Sequence, residues 1–148
     1  MSVVKTVKGD LIRMFLAGHF DMICHGANCK KTMGAGIAKT IKEVFPEAYD
    51  ADRLDTRPPL YRLGGYSSAK VACGKVVNLY TQFYPGANFE YSALISALEK
   101  LERELKRPTK VGVPLIGAGI GGGDWDVIKS ILENTGENMQ IIIVEYGK

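Results

Sequence analysis

Met33-Gly34-Ala35-Gly36-Ile37-Ala38 opens an amphipathic helix directly after a buried strand and loop, Ile23 to Thr32. At such a junction a folded chain presents bare backbone N–H groups to an anion. Glycines at the helix entrance allow close approach to the backbone, and the helix dipole adds partial positive charge. A second glycine-rich turn, Gly117-Ala118-Gly119-Ile120-Gly121-Gly122-Gly123, repeats the arrangement between Val111–Ile116 and a helix starting at Asp124. Two such loops in one small domain suggest a diphosphate held between two helix entrances.

Outward from these loops, strand and helix signals alternate. Val3–Val7 alternates apolar and polar residues and ends in the turn Gly9-Asp10, while Asp21–His25 has the pattern of a short buried strand. Ile37, Ile41, Val44 and Phe45 fall at helical spacing, and Pro46 stops that helix. Proline, glycine and charge make Tyr49–Gly65 a surface connection with little regular structure. Tyr66–Ala72 and Val76–Tyr80 form a hairpin about Gly74. A leucine stripe predicts a helix from about Glu90 to Lys106. Asp124 caps a helix ending near Gly136, and Met139–Tyr146 is a final buried strand. A hairpin together with crossover helices gives an α/β fold, a mixed central sheet with helices on both faces. Ligands of such sheets bind at the C-terminal strand ends, where both glycine loops fall.

The 148 residues form one domain, residues 1–148, with no repeats or linkers. The net charge of +3 favours an anionic ligand but falls short of the basic stripes of duplex binders, so nucleic acid is not expected as a partner. Cys24, Cys29 and Cys73 lack the number and spacing of a disulfide framework or zinc knuckle, and no metal or cofactor is expected. Neither an apolar signal core nor a membrane-length apolar run occurs, which fits a cytoplasmic protein with no membrane partner.

The second loop matches the dinucleotide fingerprint Gly-x-Gly-x-x-Gly, so a Rossmann-type oxidoreductase is a rival. That motif normally follows the first strand. Here Glu145 ends the next strand and three residues remain, too few for the rest of a nucleotide-binding half. Five glycines in seven residues exceed what a turn needs and favour a ligand. Asp10 is either a helix cap or an acceptor for the exocyclic amine of adenine. His25 is either a satisfied structural histidine or a group acting beside the phosphate site. Asn28 offers an amide to a sugar hydroxyl or tolerates a left-handed turn. Asp124 is a cap first and a base second, Trp125 a core residue, and Tyr146 an aromatic at the end of the last strand.

In this order the motifs resemble those of the macrodomain, the three-layer α/β/α module that binds ADP-ribose, over nearly the whole chain. Thr6-Val7-Lys8-Gly9-Asp10-Leu11 is similar to the opening motif whose aspartate binds adenine. His25-Gly26-Ala27-Asn28 stands where many members carry Asn-Ala-Ala-Asn, whose last asparagine reaches the distal ribose. The segments 33–38 and 114–120 resemble the two phosphate loops, and Tyr146 matches the aromatic flanking adenine. The resemblance therefore implies an ADP-ribose site made by Asp10, Leu11, Asn28, Gly34, Ala35, Gly36, Ile37, Ile116, Gly117, Ala118, Gly119, Ile120, Gly121 and Tyr146.

Within the family the chain is most similar to terminal ADP-ribose glycohydrolases and to phosphatases of ADP-ribose 1″-phosphate. The former use a lysine after the fourth strand and an aspartate in the second phosphate loop, where this chain has Gln82 and Gly121. The latter carry a histidine three residues before an asparagine, as His25 and Asn28 do. The resemblance implies a hydrolase acting at the distal ribose, with His25 and Asp124 as catalytic residues. Its implied reaction is dephosphorylation of ADP-ribose 1″-phosphate or removal of ADP-ribosyl groups, and an ADP-ribosylated protein is an implied partner. The alternative is a non-catalytic reader of ADP-ribose.

Overall fold

The computed structural model describes residues 4–119 and 121–147, so Val3 and Ile120 lie outside the described residues. Six strands, β1 (Lys5–Gly9), β2 (Met22–Asn28), β3 (Tyr66–Val71), β4 (Gly74–Gln82), β5 (Thr109–Val113) and β6 (Met139–Tyr146), form one sheet. Their order is β1-β6-β5-β2-β4-β3. Every neighbouring pair is parallel except β3–β4, the expected hairpin. The helices are α1 (Leu11–Leu16), α2 (Gly36–Val44), α3 (Pro46–Arg53), α4 (Pro59–Arg62), α5 (Tyr91–Glu104) and α6 (Trp125–Glu133). Among the described residues, no helix is long and apolar enough to cross a membrane.

Alternation along the strands feeds two apolar layers. Met22, Cys24, Val111 and Ile141 face Leu94, Leu98 and Leu101 of α5 and Ile128 and Leu132 of α6. On the opposite face Ile23, Val76 and Val144 pack against Leu11 and Phe15 of α1, Ile41 of α2 and Ala48 of α3. Helices on both faces of a mixed sheet are the α/β architecture that the alternating pattern predicts.

The stretch expected to lack regular structure departs most from that reading. Pro46 ends α2 as expected and then starts α3 at its first turn, where proline's fixed φ and missing N–H cost nothing. Pro59 does the same for α4. The two short helices carry a buried ion pair, Asp52 with Arg62 at 3.5 Å, both side chains almost wholly enclosed. Composition alone marked the segment as surface, and its charges concealed an element that packs inward.

Candidate functional site

A cleft of about 400 Å³ opens at the C-terminal ends of β2, β4 and β5. Its walls include Gly34–Ala38 at the entrance of α2, Ile116, Gly117, Gly119 and Gly121 of the second loop, and Thr81 and Gln82 at the end of β4. In α2 the first intrahelical backbone bond near the cleft is donated by Lys39 to the Ala35 carbonyl. The N–H groups of Gly36, Ile37 and Ala38 precede it and so have no intrahelical acceptor. Ala35, the N-cap, supplies no side-chain cap. All three residues line the cleft, and the positive end of the helix dipole lies there with them. Among the described residues lining the cleft there is no Asp, Glu, His, Lys, Arg, Cys or Tyr. Its polarity comes from backbone and from the neutral side chains of Asn28, Thr32, Thr81 and Gln82.

The adenine-side candidates lie at the other end of this shelf, across β5, on the β1–β6 edge. Gly9 and Tyr146 are register partners in that pair, so Asp10 and Tyr146 are brought close together. Tyr146 is 86% exposed, which leaves its ring free to stack. Asp10 is the N-cap of α1, and its Oδ1 accepts from the Arg13 N–H at 3.1 Å. Leu11 is buried in the core, so only its backbone could reach a ligand.

No family model matches the sequence. Over 156 aligned residues the chain is 42% identical to an uncharacterized 17.5 kDa protein of the tk-vs intergenic region of Enterobacteria phage T4, with 97% of each chain covered. Among solved structures it superposes on the macrodomain of Mycobacterium tuberculosis DarG with a TM-score of 0.74 at 22% identity, covering 100% of this chain and 99% of that one. With Thermosipho africanus DarTG, solved in complex with ADP-ribose, the TM-score is 0.77 at 19% identity over 99% of this chain and 42% of the other. The chain has the macrodomain fold and belongs to the family of the phage protein.

In this macrodomain the two expected catalytic residues do not reach the cleft. His25 is fully buried, and its hydrogen-bond partner Asn78 in turn reaches the Ala48 carbonyl of α3, so the imidazole is enclosed between the sheet and that helix. Its Nε2–H donates to Asn78 Oδ1 at 2.6 Å. The direction is fixed because Asn78 uses its amide hydrogens on the Ala48 carbonyl and Ser67 Oγ, both at 3.0 Å. Burial outweighs these hydrogen bonds and lowers the imidazole pKa below its ordinary value. The reading of His25 as catalytic is therefore corrected: it belongs to a buried polar chain. Asp124 is an exposed N-cap whose Oδ1 accepts from Asp126 N–H at 3.0 Å, and it does not line the cleft. Its role in this geometry is that of a cap.

The buried chain continues through Ser67 Oγ, Tyr80 OH and Asp52 to Arg62. Arg62 stacks on the Tyr80 ring and donates to the Cys29 carbonyl. It thereby anchors the backbone one residue beyond Asn28. The Asn28 amide is also committed locally: Nδ2 donates to the Thr32 carbonyl and hydroxyl at 3.1 and 3.0 Å, and Oδ1 accepts from Lys30 N–H at 2.9 Å. Asn28 lines the cleft while holding the loop that leads into α2. Gly34, Ala35, Gly36, Ile37, Ile116, Gly117, Gly119 and Gly121 all line it too; Ala118 does not. Thr32, Thr81 and Gln82 line the cleft as well, beyond the residues that the resemblance implies for the ligand. Thr81 and Gln82 end a strand neighbouring β2, and the register of β4 against β2 was the signal that could have found them.

Proposed function

We propose that this macrodomain recognises ADP-ribose, or an ADP-ribosyl group on a larger molecule, through the cleft between its two glycine loops. The observation that carries the reading is the pairing of three N–H groups at α2 that have no intrahelical acceptor with the second glycine loop across the cleft, while Asp10 and Tyr146 lie next to each other on the β1–β6 edge outside the cleft lining. The same geometry favours recognition over side-chain acid–base catalysis, since no titratable side chain among the described residues lines the cleft. Hydrolysis at the distal ribose is a second reading. Asn28, Thr32, Thr81 and Gln82 gather neutral hydrogen-bonding groups at one end of the cleft and could hold a water there. Such a reaction would run without a side-chain base.

Titration calorimetry tests the first reading. ADP-ribose is expected to bind at micromolar level, roughly −7 to −9 kcal/mol, and AMP much more weakly. Equal dissociation constants for the two would remove the distal part of the site. Turnover assays on ADP-ribose 1″-phosphate and on ADP-ribosylated carboxylates decide between reader and hydrolase.

A further inference from the structure

One polar group at the end of the cleft has its direction fixed by chemistry. Gln82 Nε2 donates to the Tyr84 carbonyl at 2.7 Å and to the Gly86 carbonyl at 2.8 Å. A primary amide has two hydrogens, and both are taken. The flipped amide would set its oxygen against two carbonyl oxygens, so the orientation is determined. The turn supplying those carbonyls is itself held by Asn88, which donates to the Tyr84 and Pro85 carbonyls and accepts from the Tyr84 N–H. Oε1 is left facing the second loop. A Cβ at Gly121 would stand 3.2 Å from Oε1 and 3.0 Å from the Gly117 carbonyl, so the glycine leaves room for the amide. No donor among the described residues bonds to Oε1.

The strand order decides which part of a ligand meets this acceptor. The two glycine loops follow β2 and β5, Asp10 and Tyr146 lie beyond β5 on the β1–β6 edge, and Gln82 lies beyond β2 at the end of β4. A dinucleotide-like ligand with its diphosphate at the loops and adenine at Asp10 brings its far sugar to Gln82.

We propose that Gln82 is a specificity-determining residue that accepts a hydrogen bond from the far sugar and disfavours an anionic group there. The inference rests on the ADP-ribose reading of the cleft. The ligand class it selects is ADP-ribose with a hydroxyl on its terminal ribose, over ADP-ribose 1″-phosphate. A hydroxyl donates to the amide oxygen. A phosphate monoester offers mainly acceptor oxygens and carries about −1.5 to −2 charges at neutral pH. No lysine or arginine among the described residues lines the cleft to offset that charge. Lys30, near in sequence, holds its ammonium over the Phe83 and Tyr84 rings instead.

Calorimetric titration of the full chain with both compounds tests this. Wild-type protein is expected to bind ADP-ribose at least about 10-fold tighter than the 1″-phosphate, the scale of one well-placed hydrogen bond. Gln82→Met keeps the length and removes the acceptor, and should bring the ratio to within about 3-fold. Gln82→Lys places a cationic donor on the Tyr84 and Gly86 carbonyls and should reverse the preference. Thermal melts establish that each variant is folded. Equal wild-type affinities, or tighter binding of the phosphate, overturn the proposal, as does an unchanged ratio in folded Gln82→Met. Binding of neither compound by wild-type protein overturns both this proposal and the ADP-ribose reading beneath it.

Discussion

The two glycine loops look alike in sequence but meet different demands. In the first loop Gly34 is exposed, and a Cβ added to it would touch nothing within 4 Å. In the second, a Cβ at Gly117 would lie 2.6 Å from the Phe89 ring, and one at Gly123 would lie 2.8 Å from Ile128 Cδ1. Gly117 and Gly122 also have positive φ, 73° and 75°. Gly119 alone among the second loop's described glycines stands in open space. The number of glycines therefore measures packing and turn geometry there, and the reading of five in seven as a ligand signal was too generous. The positions that speak of a ligand are those where the fold asks for no glycine.

The largest expected effect breaks or confirms that distinction directly. Gly119→Glu puts a carboxylate at an open position of the cleft and should weaken ADP-ribose at least about 1000-fold by blocking and repelling the diphosphate. Its thermal midpoint should match wild type. Affinity preserved in the folded variant would leave the second loop a turn and nothing more.

Gly117→Ala is the counterpart, aimed at a glycine the fold requires. A methyl group against Phe89 in a left-handed backbone should cost about 3 kcal/mol of stability in urea unfolding. A neutral outcome would mean Phe89 yields easily, and the contrast between Gly117 and Gly119 would dissolve.

Asp10 extends the contrast to a residue serving both demands. Oδ1 caps α1, which leaves Oδ2 for the adenine amine. Asp10→Ala should weaken ADP-ribose by about 1.5–3 kcal/mol, as for a charged hydrogen bond. It should also lower stability by about 1 kcal/mol through loss of the cap. Lost stability with unchanged affinity would leave Asp10 a cap only.

Within the first loop, Gly36 has φ 57°. Gly36→Ala should cost about 1–2 kcal/mol, and Gly34→Ala should stay within about 0.5 kcal/mol of wild type. Similar values for the two would show that the entrance of α2 relaxes freely.

The effect furthest from the ligand concerns His25, which is buried in hydrogen bond with Asn78. Its pKa is lowered by burial, so below about pH 6.5 the unfolded chain binds a proton that the native state refuses. Stability from this group is full above that pH. It falls as the pH drops toward the depressed native value, with a slope of at most about 1.4 kcal/mol per pH unit. Denaturant midpoints for wild type and His25→Gln between pH 5 and 8 test it, and a slope that survives the substitution would assign the titration elsewhere.

Sequence periodicity carried the sheet, the crossover helices and the glycine loops, because apolar alternation and glycine at helix entrances have direct physical causes. It failed for Tyr49–Gly65, where most of α3 and all of α4 lie and where Pro59 begins a helix rather than breaking one. For His25 the residue pattern left a structural and a catalytic role open, and the buried bond to Asn78 that favours the first is a long-range contact invisible in the local sequence. Asp124 was legible as a cap from its place before Trp125. Gln82 was legible as a position, standing where the resemblance has a lysine, but the direction of its amide was not, because that depends on a turn whose carbonyls hold its amide hydrogens.

If the cleft holds its anion through main-chain N–H groups, as proposed, an evolutionary consequence follows. Those donors exist whatever residue but proline occupies the position, so substitutions that preserve the loop conformation would leave such phosphate contacts intact. Mutational drift can change the character of the walls while the anchor persists. Selection for a new ligand would then act mainly on a few rim positions, with Gln82 and Gly121 the first pair to vary together.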